Sequence, residues 1–131
     1  MPLLYSMEGS LVRIVVVGRV TFEETVQLSD ALLADPGFEA TADLLVDASR
    51  GRPSLSYPEM RTTATRWATL AGRLRRIAIA APGEVIYALA RAFQYFAERA
   101  GLTCKVFRSM AEARAWLLAG VLTGPAGERS P

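Results

Sequence analysis

Asp47, Ser49, Arg50, Arg52, Ser54, Ser56 and Tyr57 stand close together in the chain, directly after the apolar run Leu44-Leu45-Val46. Open α/β sheets place their working groups at the carboxyl ends of buried strands, and this order of residues puts a carboxylate, hydroxyls and guanidiniums there. The chemistry such a set supports is anion recognition or phosphorylation. A phosphate on Ser54 or Ser56 adds about −1.5 to −2 charges. It would lie beside the free N–H groups and positive dipole end of a following helix, with Arg50 and Arg52 to pair with it. The same residues also have structural uses. Ser56 can cap the next helix, and Asp47 can accept N–H bonds from the turn it begins. Asp43 and Glu59 could be partners in a paired-carboxylate mechanism, but no spacing rule brings them together.

Several chemistries are closed to this chain. It has no histidine, which removes imidazole acid–base catalysis, Ser-His-Asp nucleophiles and His metal sites. The single Cys104 rules out a cysteine metal cluster and an internal disulfide, and it suits a reducing cytosol. No catalytic residue, metal or cofactor is expected. On the last strand Cys104 reads as a small core residue.

The elements that must position the candidate groups follow from pattern. Leu3–Met7 and Leu11–Val17 flank Glu8-Gly9-Ser10 and read as an antiparallel hairpin, with Val15-Val16-Val17 in a central strand. Thr21-x-x-Glu24, Ser56-x-x-Glu59 and Ser109-x-x-Glu112 are capping boxes opening helices. The first helix runs to about Ala34 before Asp35-Pro36-Gly37. The second, with Pro58 in its first turn, runs to about Ala71. Its stripe is Met60, Ala64, Trp67, Ala71 and Leu74. Further strands are expected at Leu44–Val46, Ile77–Ala81 and Thr103–Phe107. A third helix is expected over Glu84–Ala100, and a fourth ending near Ala119-Gly120.

On the third helix, Val85, Ile86, Leu89, Ala92, Phe93, Phe96 and Ala100 share one face and Tyr87, Arg91, Gln94 and Glu98 the other. Tyr87 and Arg91 are four residues apart, so the guanidinium can lie against the ring. They are the second pair of candidate contact residues. Phe22, Trp67, Phe93, Phe96 and Trp116 are either core packing or the lining of an apolar ligand pocket.

The 131 residues, 51% apolar and 21% charged, suit one globular domain. The reading is a domain over residues 1–119 and a flexible tail over 120–131. No apolar stretch reaches the ~18 residues of a membrane span. The Met-Pro-Leu-Leu-Tyr-Ser start carries no signal-peptide pattern, so a cytoplasmic location is expected. A net charge of +2 gives no basis for nucleic-acid binding. A hairpin followed by alternating helices and strands predicts a single α/β domain. Its mixed, mostly parallel sheet has about five strands and about four helices.

That order of elements resembles the STAS domain, and more closely the SpoIIAA-like (STAS/SEC14-like) small bacterial proteins. The residues that carry it are Gly18-Arg-Val-Thr21, Leu44-Leu-Val-Asp47, Arg76-Ile-Ala-Ile-Ala-Ala-Pro82 and Val106-Phe-Arg-Ser-Met-Ala-Glu-Ala-Arg-Ala-Trp116-Leu117. The resemblance implies a non-enzymatic module that binds a protein partner, in some members switched by a phosphorylated serine at the second helix. The Asp-Ser-Ser-Gly or Asp-Ser-Thr-Gly usual at that switch is absent here, and Ser54-Leu55-Ser56 stands nearby. The expected function is therefore recognition of a protein partner by the loop after the strand ending at Asp47 and the adjoining helix starts. The alternatives are a carrier of a small apolar, lipid-like molecule and, third, an enzyme using Asp47, Ser49 and Arg50. The open hairpin edge at Leu3–Met7 makes a homodimer a further expectation.

Overall fold

The computed structural model describes residues 3–38, 42–52 and 54–127. Strands β1 (Leu3–Glu8) and β2 (Leu11–Arg19) form the hairpin, which turns at Gly9 with φ of 64°. An L side chain rarely adopts that value, so glycine belongs there. Then come α1 (Phe22–Ala34), β3 (Ala42–Arg52), α2 (Tyr57–Ala68), a 3₁₀ turn at Ala71–Arg73, β4 (Leu74–Ala80), α3 (Glu84–Arg99), β5 (Cys104–Phe107) and α4 (Met110–Gly127).

The five strands lie in chain order, β1–β2–β3–β4–β5, with β1 antiparallel to β2 and every other pair parallel. Right-handed crossovers between parallel neighbours put consecutive helices on one face. Accordingly α1, α2 and α3 share a core with Val12, Ile14, Leu44, Ile77, Ile79 and Val106 of the sheet. Helix α4 crosses to the other face, where Ala113 and Leu117 pack on Leu45, Ala78 and Ala80. The small side chains of Ala78 and Ala80, both fully buried, let the helix sit close.

The local signals act as their chemistry dictates. Thr21 and Ser56 each make both bonds of a capping box, with Glu24 and Glu59 respectively. Ser109 accepts the Glu112 N–H at 3.1 Å. Helix α2 is shorter than its stripe suggests, because the chain tightens into the 3₁₀ turn and Leu74 becomes the first residue of β4. Helix α4 continues beyond the stop expected at Ala119-Gly120. One glycine inside a helix costs only about 1 kcal/mol relative to alanine. Residues 128–131 of the expected tail lie outside the described residues.

At its β5 side the sheet ends against a side chain. The outward N–H of Val106 donates to Gln94 Oε1 of α3 at 3.1 Å. At the amino ends of the strands Arg75 pairs with Asp43, whose side chain is only 6% exposed. Burial pushes the Asp43 carboxyl above its ordinary range, against the opposing pull of Arg75 and Arg76.

Candidate functional site

Strand β3 does not end at Asp47. It runs on to Arg52 because β2 continues beside it: Val17 pairs with Arg50, Gly18 with Gly51 and Arg19 with Arg52. The ladder shifts between Val15 and Val17, a bulge that takes up one extra residue after Asp47. Asp47 Oδ1 shapes it by accepting the Ser49 N–H at 3.0 Å and the Ser49 hydroxyl at 2.7 Å. The expected loop is thus a strand over its first half. Composition favoured a loop, but pairing with a distant strand decided the backbone.

Among the described residues the neighbouring strands pair less far. Pairing of β1 to β2 reaches Val16, and pairing of β4 to β3 reaches Asp47. The ends of β2 and β3 therefore project as a two-stranded ribbon beyond the sheet's carboxyl edge. Gly51 sits inside it, where a Cβ would come within 3.0 Å of Val16 Cγ1. Ser54 closes the ribbon: its hydroxyl donates to the Val20 carbonyl at 2.6 Å and accepts the Val20 N–H at 3.0 Å. Ser56 Oγ is the N-cap acceptor of α2. The hydroxyls of Ser49, Ser54 and Ser56 are thus all engaged within the fold. Tyr57 is 59% exposed, and Arg50 and Arg52 are outward or at the rim.

Beneath this edge lies an apolar cavity of about 220 Å³ that opens to solvent. Its floor is the sheet, through Ile14, Val16, Leu44, Val46, Ile77 and Ile79. Its walls are Leu28 of α1, Met60 and Trp67 of α2, and Ile86, Leu89 and Phe93 of α3. Val20, Arg52, Ser54 and Leu55 line its end at the ribbon. Of the aromatics with a candidate pocket role, Trp67 and Phe93 line it. Phe22, Phe96 and Trp116 do not, and Trp116 packs with the α4 core on the other face of the sheet.

The faces of α3 are rotated from expectation. The inward stripe keeps the expected Ile86, Leu89, Phe93 and Phe96 and adds Ala90 and Ala97, with Ala97 fully buried. Val85, expected inside, is 63% exposed. Tyr87, expected outside, is half-buried against the core, and the guanidinium over its ring is Arg108 at 4.0 Å. Arg91 is exposed. Tyr87 and Gln94 are seven residues apart and both face the β5 flank. A stripe rich in alanine leaves the helix rotation open to this kind of error. Tyr87 shares the carboxyl edge with the ribbon but sits on its β5 side.

Burial pushes the Cys104 thiol up to about 12, with Glu98 adding to the effect, so the group is a neutral core side chain. Among the described residues there is no cluster of three metal-ligating side chains, and no helix is long and apolar enough to cross a membrane.

This architecture has a counterpart among solved structures. An uncharacterised protein from Shewanella loihica PV-4 with a SpoIIAA-like fold superposes with a TM-score of 0.59 at 20% identity, covering 88% of this chain and 91% of that one. At that identity the likeness is one of fold. No curated protein matches the chain. The SpoIIAA-like family model matches residues 11–118, from the second strand through the buried turn of α4. With the model matching most of the sequence and the fold in agreement, the chain belongs to the SpoIIAA-like family.

Proposed function

We propose that this chain is a non-enzymatic binding module that takes up a small apolar molecule between its sheet and helices α1–α3. The fold is one that is commonly regulatory and generally non-catalytic. The observation that carries the reading is the cavity of about 220 Å³, walled by aliphatic and aromatic side chains. Interiors otherwise pack like organic crystals, with few voids larger than a water molecule. An engineered apolar void of ~150 Å³ in another protein stays dry and binds benzene. The cleft here is open to solvent, and it is its apolar lining that suits an apolar guest.

Native mass spectrometry of gently purified protein tests this. Wild type carries or takes up an added apolar mass, and Ala90→Leu, which fills the α3 wall, takes up less. Wild type and variant behaving alike would remove the cavity from the function.

A second reading, recognition of a protein partner at the same edge, is favoured by the exposure of Tyr57 at 59% and Val85 at 63%, and by that of Arg50 and Arg52. Aromatic and arginine side chains are the usual anchors of protein interfaces. In this reading Arg50→Ala and Tyr57→Ala weaken partner capture without loss of folding, checked by pull-down and by urea unfolding. Equal recovery with wild type and both variants removes the edge as a docking surface. Asp47 as a catalytic base has less support, since its Oδ1 already holds Ser49.

A further inference from the structure

We propose that the guest is a single-chain anionic amphiphile, its tail in the cavity and its charged head on the guanidinium groups of Arg19, Arg50 and Arg52. This rests on the apolar-uptake reading above and adds the head-group site.

The ribbon creates the site. Because β2 and β3 outrun their neighbours, Arg19 lies in register with Arg52, and Arg50 follows two residues behind on the same strand. Like charges side by side on neighbouring strands repel. Yet none of these three arginines makes an ion pair; those among the described residues are Arg66–Asp30, Arg75–Asp43 and Arg108–Glu84. The carboxylates of this edge are otherwise engaged. Glu24 and Glu59 bond the N-cap N–H groups of their helices, Asp47 holds Ser49, and Glu84 pairs with Arg108. Glu23 and Glu112, in the first turns of α1 and α4, make no such side-chain bond. The capping carboxylates offset positive helix ends and do not neutralise guanidiniums.

Arg52 joins the two halves of the site. It lines the cavity together with Val20, Ser54 and Leu55, so a chain lying along the apolar walls would bring its head to this arginine. A carboxylate or phosphate there would accept charge-assisted N–H bonds from a planar fork. At interior packing density the volume holds a tail of roughly eight carbons.

Trp67 lines the cavity and reports its occupancy. The only other tryptophan, Trp116, packs against the opposite face and is removed by Trp116→Phe. The experiment titrates that protein with octanoate, octyl phosphate and octanol, following Trp67 fluorescence, and repeats the series in Arg19→Gln/Arg52→Gln. The expected result is an anion bound about tenfold more tightly than octanol, with that advantage lost in the double variant. The tighter of octanoate and octyl phosphate assigns the head as carboxylate or phosphate. Octanol binding as tightly as both anions, with no effect of the arginine substitutions, overturns the head-group site and leaves apolar uptake standing. Silence of Trp67 to all three compounds overturns both.

Discussion

The two faces of the sheet are packed by opposite rules. On the α4 side, Ala78, Ala80 and Ala113 are fully buried and bring helix and sheet together with small side chains. On the other side, three helices and larger residues, Trp67, Phe93 and Met60 among them, stand around a void of about 220 Å³. Bulky side chains thus do not guarantee a filled core. What matters is whether helices can approach, and on this face they leave an apolar cleft between them and the sheet.

Substitutions can break this contrast. The largest effect is expected at the polar end of the α4 face, where Asp43 shares a strand face with Leu45 of β3. Arg75→Met should cost about 3–5 kcal/mol in urea unfolding near neutral pH, because it leaves a buried carboxylate without its partner. The loss should also depend on pH. Without Arg75 the folded-state pKa of Asp43 rises further above its unfolded value, so the fold is held best at acid pH, where the group is protonated. Stability should then fall as pH climbs from the unfolded value through the raised folded one. A flat profile from acid to neutral pH would contradict this.

Next, Leu117→Ala on the tight face should cost about 2–5 kcal/mol by leaving a hole. Enlarging one alanine on each face gives the sharpest comparison. Ala78→Leu should lose about 1–3 kcal/mol from overpacking. Ala90→Leu, growing into the cavity wall, should shift stability by no more than about 0.5 kcal/mol while reducing uptake of apolar guests. Equal losses at the two alanines would show that the cavity closes in solution. Between these in size, Ser54→Ala should cost about 1 kcal/mol, since Val20 loses partners for both its N–H and its carbonyl.

The sequence displayed the parts of this structure that depend on near neighbours. Thr21 with Glu24 and Ser56 with Glu59 announce helix starts because each pair meets within a single turn. Leu45 and Ile77–Ala80 read as strands because buried parallel strands are continuous apolar runs. What the sequence concealed depends on distant contacts. Ser49-Arg50-Gly51-Arg52 has the composition of a loop, and only β2 makes it a strand. The rotation of α3 was settled by Ala97 and by Arg108 over Tyr87, neither evident from a hydrophobic stripe. The cavity draws on residues from Leu3 to Phe93, whose only common property is where the fold delivers them. The engagement of Ser54 with Val20, thirty-four residues away, lay beyond spacing rules for the same reason.

Gln94 has one more consequence. With its amide oxygen on Val106, a glutamine occupies the place a sixth strand would need, while β1 at the opposite border faces outward along Leu3–Glu8. A sheet that can be extended on one side only has a single docking edge per molecule. Two such borders laid together use up both, so growth by strand addition would stop at a pair and could not propagate into a fibre.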